Sequence, residues 1–250
     1  MKIDKVILGL PDFHGEAPFV PLLCRFAKIL KPTHIVWMGD LGAWDAVSPF
    51  DYTRTSALNR GQTVEREWKE IRSKIWLPFQ RANPRAKNII LTGNHDFWLT
   101  EESNRDSRYG EMNAWPAIMD RIAGSGLPYE LIDINRPWKA SRHLHYIHGT
   151  YTNIHHAKKH VDAFHRTLLY GHTHDIQEHT AVSPIDVTEI YYGKSCGCLC
   201  NRNPVYSRNR PFRFAHGFSI AYILNDETFS ETTIRIINSS HFCYAGKIFQ

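Results

Sequence analysis

No apolar run in this chain approaches the ~20 residues that a membrane-spanning helix needs. The first, in MKIDKVILGLPDFH, spans only six residues before Pro11, too short for the apolar stretch of a signal peptide. A soluble protein with no membrane partner is therefore expected. Cysteine is scarce as well. Cys24, Cys196, Cys198, Cys200 and Cys243 are odd in number and unevenly spaced, which argues against a secreted disulfide framework and for a reducing cytoplasm. Gly/Ser-rich linkers, low-complexity tracts and internal repeats are missing, so residues 1–250 are read as one domain. Neither sign of charge dominates: the net charge is +5, which suits a protein that meets phosphates but falls far short of an obligate nucleic-acid binder.

What is present is ample apolar material, 42% of 250 residues with 12% aromatic, enough to bury a sizeable core. Short β-branched or leucine-rich runs recur, each followed by Gly, Asp, Asn or His. KVILGL leads to Asp12 and His14, HIVWM to Gly39-Asp40, and NIILT to Gly93-Asn94-His95-Asp96. LHYI leads to His148-Gly149, and TLLY to Gly171-His172-Thr173-His174. Runs of this length and type predict buried strands.

Helical patterns lie between several of them. Val64, Trp68, Ile71, Ile75 and Phe79 fall on one face of a helix from about residue 62 that should bend or end near Pro78. Leu22, Leu23, Phe26, Ile29 and Leu30 mark an earlier helix; Met112, Trp115, Met119 and Ile122 mark a later one stopped by Gly124. Strands alternating with helices predict an α/β fold, in which ligands gather beyond the carboxyl ends of the strands. After residue 175 the texture changes to short strands and turns. GFSIAYIL and TTIRII are the clearest runs there, and they predict a second sheet packed on the first.

Asp12-x-His14 and His172-x-His174 each place two donors two residues apart, and in extended segments each pair would point one way. Asp40 supplies a carboxylate able to bridge two cations, Asn94 a neutral carbonyl oxygen, and His148 another imidazole. Seven nitrogen and oxygen donors are too many for one tetrahedral ion but suit two ions sharing Asp40. Gly39, Gly93, Gly149 and Gly171 adjoin these donors, where a residue without Cβ lets the chain turn sharply.

The ordered set DxH, GD, GNHD, H-G and GHTH, spanning residues 12–174, resembles the calcineurin-like metallophosphoesterase superfamily. The resemblance implies a four-layer α/β/β/α sandwich of two mixed β-sheets flanked by helices. It implies two divalent metal ions, Mn²⁺ first, with Fe, Zn²⁺ or Ni²⁺ also accepted by these donors. Residue by residue, Asp12, His14, Asp40 and His174 resemble the first metal site, and Asp40, Asn94, His148 and His172 the second. His95 resembles the catalytic histidine, with Asp96 orienting its ring. The implied activity is hydrolysis of a phosphoester by a metal-bridging hydroxide in an in-line displacement. A phosphodiester or nucleic acid, DNA or RNA, is favoured as substrate. A phosphomonoesterase, a protein phosphatase and a non-catalytic protein-binding scaffold of the same fold are the alternatives.

VSPFD, HGT…HHAKKH and GCLC…FRFAHGF are similar to bacteriophage and prophage members, which would place the protein in a host cytoplasm. Trp98 stands where many relatives carry Arg, and Asp175 follows GHTH where a basic residue is common.

Other residues have plainer readings. His155, His156, His160 and His165 are expected as surface or packing residues of a helix, with one of the first two within reach of substrate. Cys196, Cys198 and Cys200 would share one strand face; buried small side chains are expected there rather than a third zinc site. Arg208, Arg210 and Arg213 interleave with Tyr206, Phe212 and Phe214. That stretch reads either as a solvated loop or as a substrate-binding surface for phosphates and bases. Oligomeric state is not legible.

Overall fold

The computed structural model describes residues 1–106, 110–125, 128–201 and 213–250. All five anticipated strands form: β1 (Ile3–Leu10), β2 (His34–Trp37), β3 (Lys87–Leu91), β6 (Leu144–Ile147) and β7 (Thr167–Tyr170). β4 (Tyr129–Ile132) and β5 (Trp138–Lys139) lie between them in the chain, and β8 (Glu178–Val182), β9 (Ile190–Ser195), β10 (Gly217–Leu224), β11 (Phe229–Arg235), β12 (Phe242–Tyr244) and β13 (Lys247–Phe249) follow.

Two mixed sheets result. The first has the order β11-β10-β1-β2-β3-β4, with β1 to β4 parallel and the two late strands antiparallel. The second has the order β5-β6-β7-β9-β8, with β6, β7 and β9 parallel. GFSIAYIL and TTIRII thus do not build the second sheet. They form β10 and most of β11, which return to the first sheet beside β1, while the second sheet begins at β5. The physical reason is burial on both faces: the first five residues of β10 are all buried, as a near-continuous apolar run requires of an interior strand.

The sheets face each other through Ile7, Val36, Met38, Ile89 and Leu91 from one side and Leu144, Tyr146, Leu169 and Cys196 from the other. The outer face of the first sheet is covered by α1 (Val20–Leu30), α3 (Val64–Ile71), α4 (Leu77–Ala82), α5 (Asn94–Arg105) and α6 (Trp115–Ala123). α7 (His156–Phe164) packs on β7, β8 and β9 of the second. Helix, sheet, sheet, helix is the expected four-layer sandwich. Phe13, Trp37, Trp76 and Phe79 interlock beneath β1 and β2 with ring centroids 5.2–6.4 Å apart. Each is fully buried, worth roughly 1.5–3 kcal/mol relative to exposure.

The bend anticipated near Pro78 is a single π-helical turn, Arg72–Trp76, between α3 and α4. Proline has no N–H to donate and its ring crowds the carbonyl four residues back; a widened turn relieves both. Val64, Ile71, Ile75 and Phe79 are buried as their spacing requires, and Thr63 caps the start by accepting the Arg66 N–H at 3.1 Å. Two residues assigned to apolar helix faces lie outside the core. Ile29 is 65% exposed at the end of α1, and Met112 is 66% exposed in a short 3₁₀ turn before α6. A further helix, α2 (Asp51–Asn59), buries only Ala57 and joins α5 through the Arg54–Glu102 ion pair. No described helix is long and apolar enough to cross a membrane.

Candidate metal centre

Every anticipated donor lies just past the carboxyl end of a parallel strand. Asp12 and His14 follow β1, Asp40 follows β2, Asn94 follows β3 and opens α5, His148 follows β6, and His172 and His174 follow β7. The two D/H-x-H segments are not extended, so the simple alternation that would point each pair one way does not apply. Asp12, His14, Asp40, His172 and His174 all have positive φ, between 41° and 66°. For residues with a Cβ this left-handed backbone costs roughly 1–3 kcal/mol each and persists only where neighbours over-determine it. Here they do: His14 N–H donates to the Asp40 carbonyl (2.9 Å), Leu199 N–H to the Asp12 carbonyl (3.0 Å), and Ala215 N–H to the His174 carbonyl (2.8 Å). His172 N–H donates to the Asp12 carboxylate at 2.9 Å. Two glycines make room. A Cβ on Gly93 would sit 2.1 Å from Asp40 Oδ1, and one on Gly171 would sit 2.1 Å from Asp12 Oδ2.

The structure brings all seven donors into one cluster with two lobes that meet at Asp40. In the first, His14 Nε2 lies 3.0 Å from His174 Nε2 and 3.6 Å from Asp40 Oδ2, and His174 Nε2 lies 3.5 Å from Asp12 Oδ1. In the second, His148 Nε2 lies 3.5 Å from Asp40 Oδ2 and 3.1 Å from Asn94 Oδ1, with the His172 ring 4.8 Å from that of His148. His148 Nδ1 donates to the Met38 carbonyl at 2.8 Å, which aims Nε2 at the other donors.

The electrostatics divide the imidazoles: His14 and His172 are held neutral, while the carboxylates draw His148 and His174 toward the protonated form, which a bound cation would have to displace. Burial and the neighbouring His95 hold His14 well below the usual imidazole range, and burial together with His148 draws His172 down to about 3, so both keep lone pairs. Burial also depresses His174, but its hydrogen bond to Asp12 and that carboxylate's charge outweigh it and raise the group to about 9. Burial opposes the Asp40 charge too, yet His148, His95 and His14 hold its carboxyl well below the ordinary value. Imidazole and carboxylate donors converging on one shared carboxylate fit a pair of divalent ions in chemistry and in number.

His95 stands at the cavity mouth of the cluster, its ring 4.5 Å from that of His14. Its Nδ1 donates to the Ala43 carbonyl at 2.8 Å, and Trp98 lies against it, tilted by 34° with centroids 3.8 Å apart. Trp98 thus braces His95 from the position where the resemblance would place arginine. Asp96 does not orient that ring by contact. Its buried carboxylate accepts Trp44 Nε1–H (2.9 Å) and the N–H groups of Gly93 (3.1 Å), Leu41 (3.3 Å) and Gly42 (3.5 Å). Asp96 sits in the first turn of α5 and points back under the strand ends, so it fixes the 41–44 loop whose Ala43 carbonyl holds His95. Burial and the nearby Asp40 charge raise its carboxyl above the ordinary range.

A cavity of about 540 Å³ opens in front of His14, His95 and His174. Its wall includes Phe214, from the stretch read as a possible substrate-binding surface, and Glu16, Asp45, Arg60, Glu67 and Cys200, which the motifs did not point to. Glu67 accepts the N–H groups of Ala43 (2.6 Å) and Trp44 (2.9 Å), bracing the same loop from outside. Removal from water pushes its carboxyl up to about 7. Burial likewise raises Asp45, while the charges of His95 and Arg60 pull it the other way. The one available signal was the first-turn Glu of α3, which reads as ordinary helix capping.

Cys196, Cys198 and Cys200 are buried, as expected, but share no strand face: β9 ends at Ser195 and Gly197 turns the chain at φ 83°. Cys200 Sγ reaches 4.0 Å from His174 Nδ1. His155 and His165 are exposed, whereas His156 and His160 are buried within α7. Arg213 is exposed, and Arg208 and Arg210 lie outside the described residues.

Fold and donor cluster together define an α/β/β/α protein whose strand ends gather His and Asp groups that could hold metal ions. No protein-family model and no curated protein matches the chain. Among solved structures, 92% of the chain aligns with 97% of Vps29 from Chaetomium thermophilum, at TM-score 0.39 and 9% identity. A similar alignment covers 91% of the chain and 98% of Yfce, a phosphoesterase from E. coli, at TM-score 0.35 and 14% identity.

Proposed function

We propose that this chain, acting as one domain, is a dimetal phosphoesterase. The observation that carries the reading is the position of Asp40 Oδ2, 3.6 Å from His14 Nε2 in one lobe and 3.5 Å from His148 Nε2 in the other. Asp12, His14, Asp40 and His174 would hold one ion, and Asp40, Asn94, His148 and His172 the other, with Mn²⁺ the first candidate. When bound, such a pair supplies an activated water and neutralises charge on the phosphoryl oxygens.

The protein's own groups do the rest. His95, fixed by the Ala43 carbonyl and Trp98, presents Nε2 to the cavity and protonates the departing oxygen, a contribution of roughly 10²–10⁴-fold. Asp96 and Glu67 hold the 41–44 loop from its two sides and so keep the His95 ring in place. Arg60 supplies a cation on the cavity wall, and Phe214, 4.4 Å from the His174 ring, lines it beside His174.

Phosphodiesters of nucleotides or nucleic acid are the favoured substrates. A panel of single- and double-stranded DNA, RNA, cyclic nucleotides, nucleotides and phosphopeptides, run with each divalent metal in turn, tests the proposal. Cleavage of the diesters supports it; turnover of monoesters or phosphopeptides alone reassigns the substrate. Two bound metals with no turnover of any member would mark a scaffold.

A further inference from the structure

α7 carries two buried histidines one helical turn apart, and neither belongs to the donor cluster. A leucine would fill the same space, yet both imidazoles have both nitrogens engaged. His160 Nδ1 donates to the His156 carbonyl at 2.8 Å, and its Nε2 accepts the Thr150 N–H at 3.0 Å. Burial pulls His160 down to about 4, which keeps that acceptor available. His156 Nε2 donates to Asp175 Oδ2 at 3.1 Å, and its Nδ1 accepts the Tyr170 hydroxyl at 2.8 Å. Asp175 in turn accepts the Thr173 hydroxyl at 2.8 Å and the Ser195 hydroxyl at 3.0 Å. The His160 ring also stacks on Tyr170 with centroids 4.1 Å apart.

The anchored residues flank proposed ligands. Thr150 is two residues beyond His148, Tyr170 is two before His172, and Thr173 and Asp175 bracket His174. Resting on the dimetal reading, we infer that His156 and His160 are positioning residues: a pair of imidazoles on α7 that ties the 148–150 and 170–175 loops together and thereby sets the spacing of His148, His172 and His174. The loops start from neighbouring strands β6 and β7, but past the strand ends the only direct hydrogen bond between them among the described residues is Gly171 N–H to the His148 carbonyl, at 2.9 Å. Side chains from outside must do the remainder. Outer groups that orient metal ligands are typically worth 10–100-fold in metal affinity.

The test is Mn²⁺ titration of the full chain, with no substrate, for wild type, His160→Leu, His156→Leu, His160→Gln and His156→Gln, alongside melting temperatures. Glutamine keeps one donor and one acceptor; leucine keeps only the volume. The leucine variants should bind at least one Mn²⁺ about 10–100-fold more weakly, with glutamine recovering most of the loss. Asp175→Ala, which leaves α7 untouched, should show the same weakening and decides the matter if a leucine variant does not fold. Unchanged affinities in the leucine variants and in Asp175→Ala overturn the inference, as do equal losses in the glutamine and leucine pairs. A wild-type chain that binds no Mn²⁺ instead overturns the dimetal reading and this inference with it.

Discussion

Asp40 Oδ1 accepts the backbone N–H of His95 at 2.9 Å, which turns Oδ2 toward His14 and His148. One carboxylate therefore ties the first turn of α5 to both lobes of the donor cluster. In Asp40→Asn the amide must either present an N–H to the His95 N–H or turn a donor toward the cations. Metal content should fall from two equivalents, and kcat should drop by more than about 100-fold, beyond the range of an outer-group change. Inductively coupled plasma analysis with steady-state kinetics checks this; two retained metals with near-normal turnover would remove Asp40 from the bridging position.

His95→Gln should behave differently, because the ring is held by Ala43 and Trp98 and acts on the leaving group. The loss in kcat should reach about 10²–10⁴-fold on a substrate with a poor leaving group and be much smaller on a p-nitrophenyl ester. Metal content should stay at the wild-type level. Equal losses on both substrates would argue against an acid role.

Glu67 gives a pH signature. Its carboxyl is raised to about 7 by removal from water, above the ordinary 4.5. Between those values the folded protein holds a proton that the unfolded chain has released, so this group's contribution to stability falls as pH rises through that window. Below about 4.5 it is protonated in both states. Glu67→Gln should therefore gain on wild type by on the order of 1–2 kcal/mol between pH 4.5 and 8, discounted because the side chain is only part-buried. Urea unfolding at a series of pH values measures the difference; a constant offset would show that Glu67 is ionised throughout.

The arginine stretch separates a nucleic-acid substrate from a small one. If Arg208, Arg210 and Arg213 meet backbone phosphates, cleavage of a single-stranded oligonucleotide should weaken steeply with salt while an aryl diester hardly responds. Changing all three to Ala should flatten the slope of log kcat/KM against log salt by roughly 2, about 0.7 per phosphate released from contact. Identical responses from the two substrates would mark the stretch as a solvated loop.

Much of this fold was legible because its signals are local. KVILGL, HIVWM, NIILT, LHYI and TLLY are apolar enough to be strands wherever they pair, and the donors that follow them identify the ends that face the site. Partnership was not legible. Nothing in GFSIAYIL says that it returns to β1 across more than two hundred residues of chain, because register with a distant strand is a tertiary property. The left-handed backbone of Asp12, His14, Asp40, His172 and His174 was also hidden, since it is imposed by hydrogen bonds from Leu199, Ala215 and one another. Asp96 shows how adjacency misleads. It stands next to His95 in sequence, but one step along a helix rotates a side chain by about 100°, and its carboxylate points to Trp44. The roles of His156, His160 and Glu67 depend on loops outside their own helices, so their sequence context reads as ordinary helix.

Anomalous X-ray diffraction at the manganese edge, from crystals grown with Mn²⁺, tests the dimetal reading most directly. Two peaks are expected per chain, about 3.5–4 Å apart, on either side of Asp40 Oδ2, one among Asp12, His14 and His174 and the other among Asn94, His148 and His172. A single peak, or two peaks that do not share Asp40, would contradict it.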